Sequence, residues 1–497
     1  MAGNRWADFE GFVYRAMVDH LIPGTAVAVW QDGAVAYSRG FGLRNRESHE
    51  PVLPDTMFGI ASITKSFTVM ALARLQDRGL LSLDDPVIRH LPEFFIQGAD
   101  MEQVRIYHLL SHTTGLPPLA GLGRATRESI KDYPTWEGSK PAPAASSTTA
   151  STSPTPAPTA SPAVPAGPVH GQPGQTAVDY SSYLTYLRNQ PVELYGAPGE
   201  YFSYSNDSYV VAGAVVERAS GMPYHDYMKK EVFAPLGLTR TTFSLAELAQ
   251  MPNVTRLYFN NKRGETLDVP QWQDVGIYDA GGGIKSTVLD LTKYASVYAT
   301  GGLAGHVRFL SEAAVKRVRT PVYRLSCSTQ YACGLQVTPD YSGLTLVEHG
   351  GSLTGVSSTF GFVPEARLAA AVLTNASSVP AADIWLAAIN TALDLPLDNK
   401  RSHEPSWQAP PGYGARFAGR YKSDEGADIQ VACDRRGLRI GLGGEEFDLR
   451  LSGEDTAVYD FRGQERVVRF FMHADGSVWA LFHGNSMTGI RLIRKVE

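Results

Sequence analysis

Three cysteines in 497 residues, Cys327, Cys333 and Cys433, are too few for a disulfide framework. Cys327 and Cys333 are spaced to close a small loop, but buried or idle thiols are the expectation. The absence of a Cys-x-x-Cys pair excludes a zinc ribbon. No stretch approaches the roughly 18 apolar residues that cross a bilayer. The opening segment MAGNRWADFEGFVYRAMVDHLIPG carries acids early and no continuous apolar run. It reads as an amphipathic helix ending at Pro23-Gly24 rather than a signal peptide, which makes a cytoplasmic location the expectation. Neither sign of charge dominates. The 45 Lys and Arg are scattered among 50 Asp and Glu for a net charge of −5, which speaks against a nucleic-acid surface. What is present is 43% hydrophobic and 19% charged residues, enough for an ample core in a chain long enough for two to four domains.

Along the chain, GTAVAVWQDGAVAYSRGFGLRN places two β-rich runs on either side of Asp32-Gly33, a hairpin signal. In GIASITKSFTVMALARLQDRGLL, Phe67, Met70, Ala71 and Leu75 recur at helical spacing until Gly79. Residues 141–166 consist of Pro, Ala, Ser and Thr except for Val164, a composition that cannot offset chain entropy by burial. Because chemistry-bearing residues lie on both sides, we read an insertion within one catalytic domain, at about 138–175, and not an interdomain linker. Residues 177–248 read as helical and residues 331–375 as β, with a hairpin turning near Pro364-Glu365. IWLAAINTALDL then closes the region as a helix. Prolines near 400–414 mark a boundary, beyond which short strands alternate with turns as in a small all-β barrel or sandwich. A sheet drawn from both ends of the larger region, with helices between, is an α+β layout.

Three short motifs carry chemistry. Ser62 and Lys65 are i and i+3 on one helical face, where a neutral lysine would accept the serine proton and the serine N–H would hold an oxyanion. Tyr204-Ser205-Asn206 offers a phenol whose acidity a cation within about 4–6 Å would raise, and an amide able to reach both lysine and substrate. His349, Gly350, Gly351 and Ser352 place two glycines and a backbone N–H at a strand edge, where a ligand can approach closely. Singly, each has an ordinary structural reading: a capping serine beside a solvated lysine, a surface turn, a hydrogen-bonding histidine. His108 and His112, four apart on a helix, lack both a glutamate after the first and a third ligand, so no metal is expected.

Together, and in this order, the three resemble the S-x-x-K, Y-x-N and K-T-G set of the serine β-lactamase and penicillin-binding superfamily. The Tyr-x-Asn form is that of the class C branch, with its D-aminopeptidase, DD-peptidase and esterase relatives. The resemblance covers roughly residues 8–395 and extends to LLSHTTGLP, PGEYFSYSN, GMPYHDYMKKEVFAPLGLTRTTF and GGGIKSTVLDLTKYA. It implies a β-lactamase-like fold over residues 1–400, an antiparallel sheet flanked by helices plus a helical subdomain. FAGRYKS at the start of the last region resembles the lipocalin-like barrel appended to some members, implying a linker at 401–414 and a barrel at 415–497.

Carried over by position, the resemblance implies Ser62 as nucleophile, Tyr204 as general base sharing the proton with Lys65, and Asn206 orienting Lys65 and the substrate amide. The N–H groups of Ser62 and Ser352 would form the oxyanion hole, with neither cofactor nor metal. His-Gly-Gly stands where β-lactamases carry Lys-Thr-Gly. A histidine only partly charged near neutral pH and a glycine without a hydroxyl weaken recognition of a substrate carboxylate. The expected activity is therefore hydrolysis of small amides or esters, D-amino-acid peptides above all, with esterase side activity. β-Lactamase or DD-carboxypeptidase activity is the first alternative and a non-catalytic binding or assembly protein the second. The expected partner is a small molecule or short peptide, with no nucleic acid or membrane, and a homo-oligomer through the C-terminal domain is an option.

Overall fold

The computed structural model describes residues 5–117, 119, 179–190, 192–261, 263–401, 404–423, 427–461, 464–484 and 491–496. The Pro/Ala/Ser/Thr insertion expected at 138–175 lies outside the described residues.

A nine-stranded antiparallel sheet is built from both ends of the larger region. Its order is Tyr323–Arg324, Gln330–Tyr331, Gln336–Tyr341, Leu344–Leu353, Val356–Val363, Leu368–Thr374, Gly24–Gln31, Ala34–Asn45, Glu50–Pro51. Strand Gly24–Gln31 closes it, pairing from Thr25 with Thr374 to Gln31 with Leu368. The expected hairpin is present, turning through Asp32 (φ 50°) and Gly33 (φ 101°). Side-chain alternation explains the AVAV run, because successive residues enter different cores. Ala26 and Ala28 face Phe67, Met70 and Tyr294, from helices Thr64–Asp77 and Val288–Ala299. Val27 and Val29 face Phe9, Trp385 and Ile389, from helices Arg5–Asp19 and Ala381–Ala392. With helices on both faces, strands Val356–Val363 and Leu368–Thr374 are buried along their whole length.

Helix Thr64–Asp77 departs from the one-sided pattern of its sequence. Eleven of its residues are buried, Thr64, Lys65, Ser66 and Thr68 among them. Helix Asn206–Ser220 covers the side that the spacing left to solvent, and the polar residues there find partners in the interior. The Phe67 ring stacks on Tyr294 at 3.6 Å between centroids, and the Tyr294 hydroxyl donates to Ser66 Oγ at 2.9 Å.

The C-terminal strands form a second nine-stranded antiparallel sheet that runs from Glu445–Asp448 round to Arg450–Leu451. Those end strands are sequence neighbours, so the sheet curls into a nearly closed barrel. Phe417, Tyr421, Ile440, Tyr459, Phe470 and Leu481 fill its interior, so the barrel is packed with its own side chains. Residues of opposite parity, Phe471, Ala480, Phe482 and Leu492, point outward and pack on Phe202, Tyr204, Leu325 and Tyr331 of the larger region. Arg324 reinforces this contact by pairing with Asp455 at 2.6 Å.

Three buried histidines make the fold acid-sensitive. Burial holds His349 at about 3, and His108 and His483 at about 4, against an ordinary value near 6.5. Between pH 6.5 and 5 the unfolded chain therefore binds protons that the folded chain refuses. Stability is lost as pH falls, with each histidine adding a slope of up to about 1.4 kcal/mol per pH unit. Thermal denaturation at pH 7.5, 6 and 5 should show a falling Tm and uptake of protons on unfolding. A Tm independent of pH over that window would contradict the burial assigned to these rings.

Candidate active site

Ser62 lies in the 3₁₀ turn Ala61–Ile63, which leads directly into helix Thr64–Asp77. Ala61 holds φ +47°, a left-handed conformation uncommon for a residue with a side chain. Its neighbour fixes it there: the Ile60 N–H donates to Ile284 O at 3.0 Å, and Ser358 Oγ donates to Ile60 O at 2.9 Å. One helical turn on, Lys65 is 0% exposed while Ser62 keeps 7%. The ammonium donates to Ser62 Oγ at 3.1 Å, Asn206 Oδ1 at 2.8 Å and the Gly281 carbonyl at 2.8 Å. The S-x-x-K lysine is thus an interior group pinned against its serine, and not a surface charge.

Asn206 opens helix Asn206–Ser220, with Ser205 as N-cap accepting from the Ser208 N–H at 3.2 Å. Capping fixes where the helix starts and hence where the Asn206 amide points. Beneath it, buried Asp207 accepts from the Tyr183 hydroxyl and, at 3.0 Å, from that of Tyr278. Tyr204 immediately precedes the cap, and Lys65 Nζ stands 5.0 Å from its ring centroid, a cation–π distance. Gly281 belongs to the glycine-rich DAGGG segment, in the short helix Asp279–Gly282. Its carbonyl is the third acceptor of Lys65, and no side-chain pattern could have announced it.

The third motif lies on strand Leu344–Leu353. Pairing with strand Gln336–Tyr341 stops at Glu348, which leaves the edge from His349 onward beside the Ser62 turn. Gly351 makes that approach: a Cβ here would lie 2.1 Å from Ile60 O and 2.4 Å from Ser358 Oγ. The glycine therefore makes room for the turn that carries Ser62, whereas the sequence suggested room for a ligand. Gly351→Ala should push strand and turn apart, and displacement of a reacting group by about 1 Å costs on the order of 100-fold in rate. A Gly351→Ala enzyme with unchanged kcat/KM would contradict this packing.

His349 faces inward and is 0% exposed. Its Nδ1 lies 2.6 Å from Gly350 O and its Nε2 3.1 Å from the Tyr331 hydroxyl. A carbonyl can only accept, so Nδ1 carries the proton and Nε2 accepts from Tyr331. Burial first, and the nearby Lys65 charge second, hold its pKa at about 3. The sequence alone suggests partial charge near neutrality, but in this setting the ring is neutral. Ser352, two residues past Gly350, is exposed and paired in register with Ser357. The structure thus brings Ser62, Lys65, Tyr204, Asn206 and the His349–Ser352 edge into one cluster, together with Gly281 and Tyr331.

His108 and His112 do not form a pair of ligands. His108 Nδ1 accepts from the Arg105 N–H at 3.1 Å, while His112 Nδ1 accepts from the Ser205 N–H at 3.0 Å. Among the described residues no cluster of three or more His, Cys, Asp or Glu is arranged to hold a metal, and no helix is long and apolar enough to cross a membrane.

Known proteins share both sequence and fold with this chain. It is 31% identical over 316 residues to the serine beta-lactamase-like protein LACTB, mitochondrial, of Mus musculus, covering 58% of this chain and 56% of that protein. The match therefore spans little more than half that relative's length. It is 32% identical over 254 residues to esterase EstB of Burkholderia gladioli, covering 50% of this chain and 53% of the esterase. The solved structure of the octameric penicillin-binding protein homologue from Pyrococcus abyssi is 26% identical, with a TM-score of 0.65 over 98% of this chain and 99% of that one. The family model for Beta-lactamase matches residues 9–393, from the first helix through the last helix packed on the main sheet. The chain belongs to the beta-lactamase family, within the β-lactamase and penicillin-binding superfamily.

Proposed function

We propose that this enzyme hydrolyses small amides and esters through an acyl-enzyme on Ser62, acting above all on D-amino-acid peptides with a free amine, with esterase side activity. The observation that carries the reading is the Lys65 ammonium held 3.1 Å from Ser62 Oγ in a buried cage closed by Asn206 and Gly281. Ser62 Oγ bonds to the acyl carbon as its proton passes to Tyr204, the general base, whose phenolate Lys65 favours. The N–H groups of Ser62 and Ser352 receive the oxyanion, and Asn206 orients the substrate amide. The tetrahedral intermediate collapses as the same proton passes to the leaving amine or alkoxide, and water then attacks the ester by the reverse sequence. The same layout bears on the chain's organisation. A hydrolase domain over 1–400, a linker at 401–414 and a barrel at 415–497 fit the two separate sheets.

Substrate preference follows from His349. Neutral above about pH 4, with both ring nitrogens engaged, it offers no cation to a substrate carboxylate. Losing a charge-assisted hydrogen bond of about 1.5–3 kcal/mol lowers kcat/KM by roughly 10- to 100-fold. A p-nitrophenyl ester and a D-alanyl p-nitroanilide should therefore be turned over better than penicillin or a peptide ending in D-Ala carboxylate. Equal or faster hydrolysis of penicillin would sink this preference in favour of the β-lactamase reading. The esterase relative supports the ester arm. The octameric relative supports a homo-oligomer, which light scattering on the purified chain would test; a monomer would refute it.

A further inference from the structure

His112 does more than fill the core behind the site. Its backbone holds φ +58°, and from that position one residue engages the main chain on both sides of Tyr204. The Ser203 N–H donates to the His112 carbonyl at 2.9 Å, and the Ser205 N–H donates to its Nδ1 at 3.0 Å. The ring itself lies against the Tyr204 ring, with centroids 4.2 Å apart and planes 32° from parallel. Phe202, Tyr209 and Tyr331 surround it at 5.6, 5.2 and 5.5 Å. Tyr209 and Tyr331 each touch the rest of the site: Lys65 Nζ stands 5.3 Å from the Tyr209 centroid, and the Tyr331 hydroxyl donates to His349.

An imidazole nitrogen that accepts an N–H has its lone pair free for it, so His112 carries its proton on Nε2. Two flanking amides and one ring face together leave Tyr204 little freedom of backbone or plane. From this geometry we propose that His112 is the positioning residue that sets Tyr204 over Lys65, acting on the reaction only through that tyrosine. The inference rests on the reading of Tyr204 as general base.

Four single variants and one double variant test it, with kcat and KM for p-nitrophenyl acetate and Tm measured for each. His112→Leu removes the acceptor and should lower kcat about 100-fold with KM little changed, the cost of a base displaced by about 1 Å. His112→Asn places Oδ1 near the position of Nδ1 and should stay within about tenfold of wild type. His112→Gln extends its amide towards the Nε2 position instead and should resemble His112→Leu. Tyr204→Phe should lose about 100- to 10,000-fold, the range supplied by a positioned base. Adding His112→Leu to it should then cost no more than about threefold, because the residue through which His112 acts is gone.

Should His112→Leu fail to fold, the Asn and Gln variants decide, and equal activities in those two overturn the proposal. Multiplicative losses in the double variant overturn it as well, since they show that His112 acts by another route. A slow Tyr204→Phe beside a normal His112→Leu refutes the positioning role alone. Wild-type activity in Tyr204→Phe refutes the base assignment and the proposal with it.

Discussion

Ser62→Ala should bring ester hydrolysis down to background, a loss of at least about 10⁴-fold, because oxyanion donors and binding alone leave only a small residual rate. The fold should survive almost intact. Lys65 keeps its hydrogen bonds at 2.8 Å to Asn206 Oδ1 and the Gly281 carbonyl, and forfeits only the weaker one to Ser62 at 3.1 Å. One net hydrogen bond is worth about 1 kcal/mol, which lowers Tm by only a few degrees in a chain of this size. Activity and stability should therefore separate cleanly. Measured kcat/KM above about 1% of wild type in the alanine variant would remove Ser62 from the nucleophile's role.

Lys65→Ala should damage both quantities. It deletes the cation that stands 5.0 Å from the ring of the proposed base Tyr204, so kcat/KM should fall by about 10³-fold or more, in the range of a lost acid–base partner. It also strips Asn206 Oδ1 and the Gly281 carbonyl of their shared donor inside the protein. Buried acceptors left unsatisfied cost about 1–3 kcal/mol each, so the variant should melt well below Ser62→Ala. Lys65→Arg should not rescue activity. A planar guanidinium does not fit a cage sized for a compact ammonium that is 0% exposed. Chemical denaturation and steady-state kinetics on the three variants would check this ordering. A Lys65→Ala protein as stable as wild type would mean that the cage is not a buried hydrogen-bonding centre.

Local signals explain what could be read from the sequence. The Asp32-Gly33 hairpin, the helix ending before Gly79 and the turn at Pro364 each depend on a few adjacent residues, and each is present in the fold. The three motifs were legible because each holds its candidate groups within four residues. What brings them together was not. Lys65 and Gly281 are 216 positions apart, and Lys65 and Asn206 are 141 apart. No local pattern encodes contacts of that range, and the family resemblance had to supply the connection.

The state of His349 was hidden for a related reason. Its charge depends on burial and on Lys65, and both are consequences of tertiary packing. The same holds for helix Thr64–Asp77, whose apolar spacing suggested one buried face while helix Asn206–Ser220 buries the other. The C-terminal strands announced a barrel or sandwich through their turns, and the FAGRYKS resemblance implied the barrel. That the outward residues Phe471, Phe482 and Leu492 seat against the Tyr204 segment required the packed structure.

The central claim, an activated Ser62, is tested most directly by intact mass after incubation with a fluorophosphonate ester, followed by peptide mapping. The account expects a single adduct on the peptide carrying Ser62, absent from Ser62→Ala and formed more slowly in Tyr204→Phe. No adduct, or one that persists undiminished in Ser62→Ala, would contradict it.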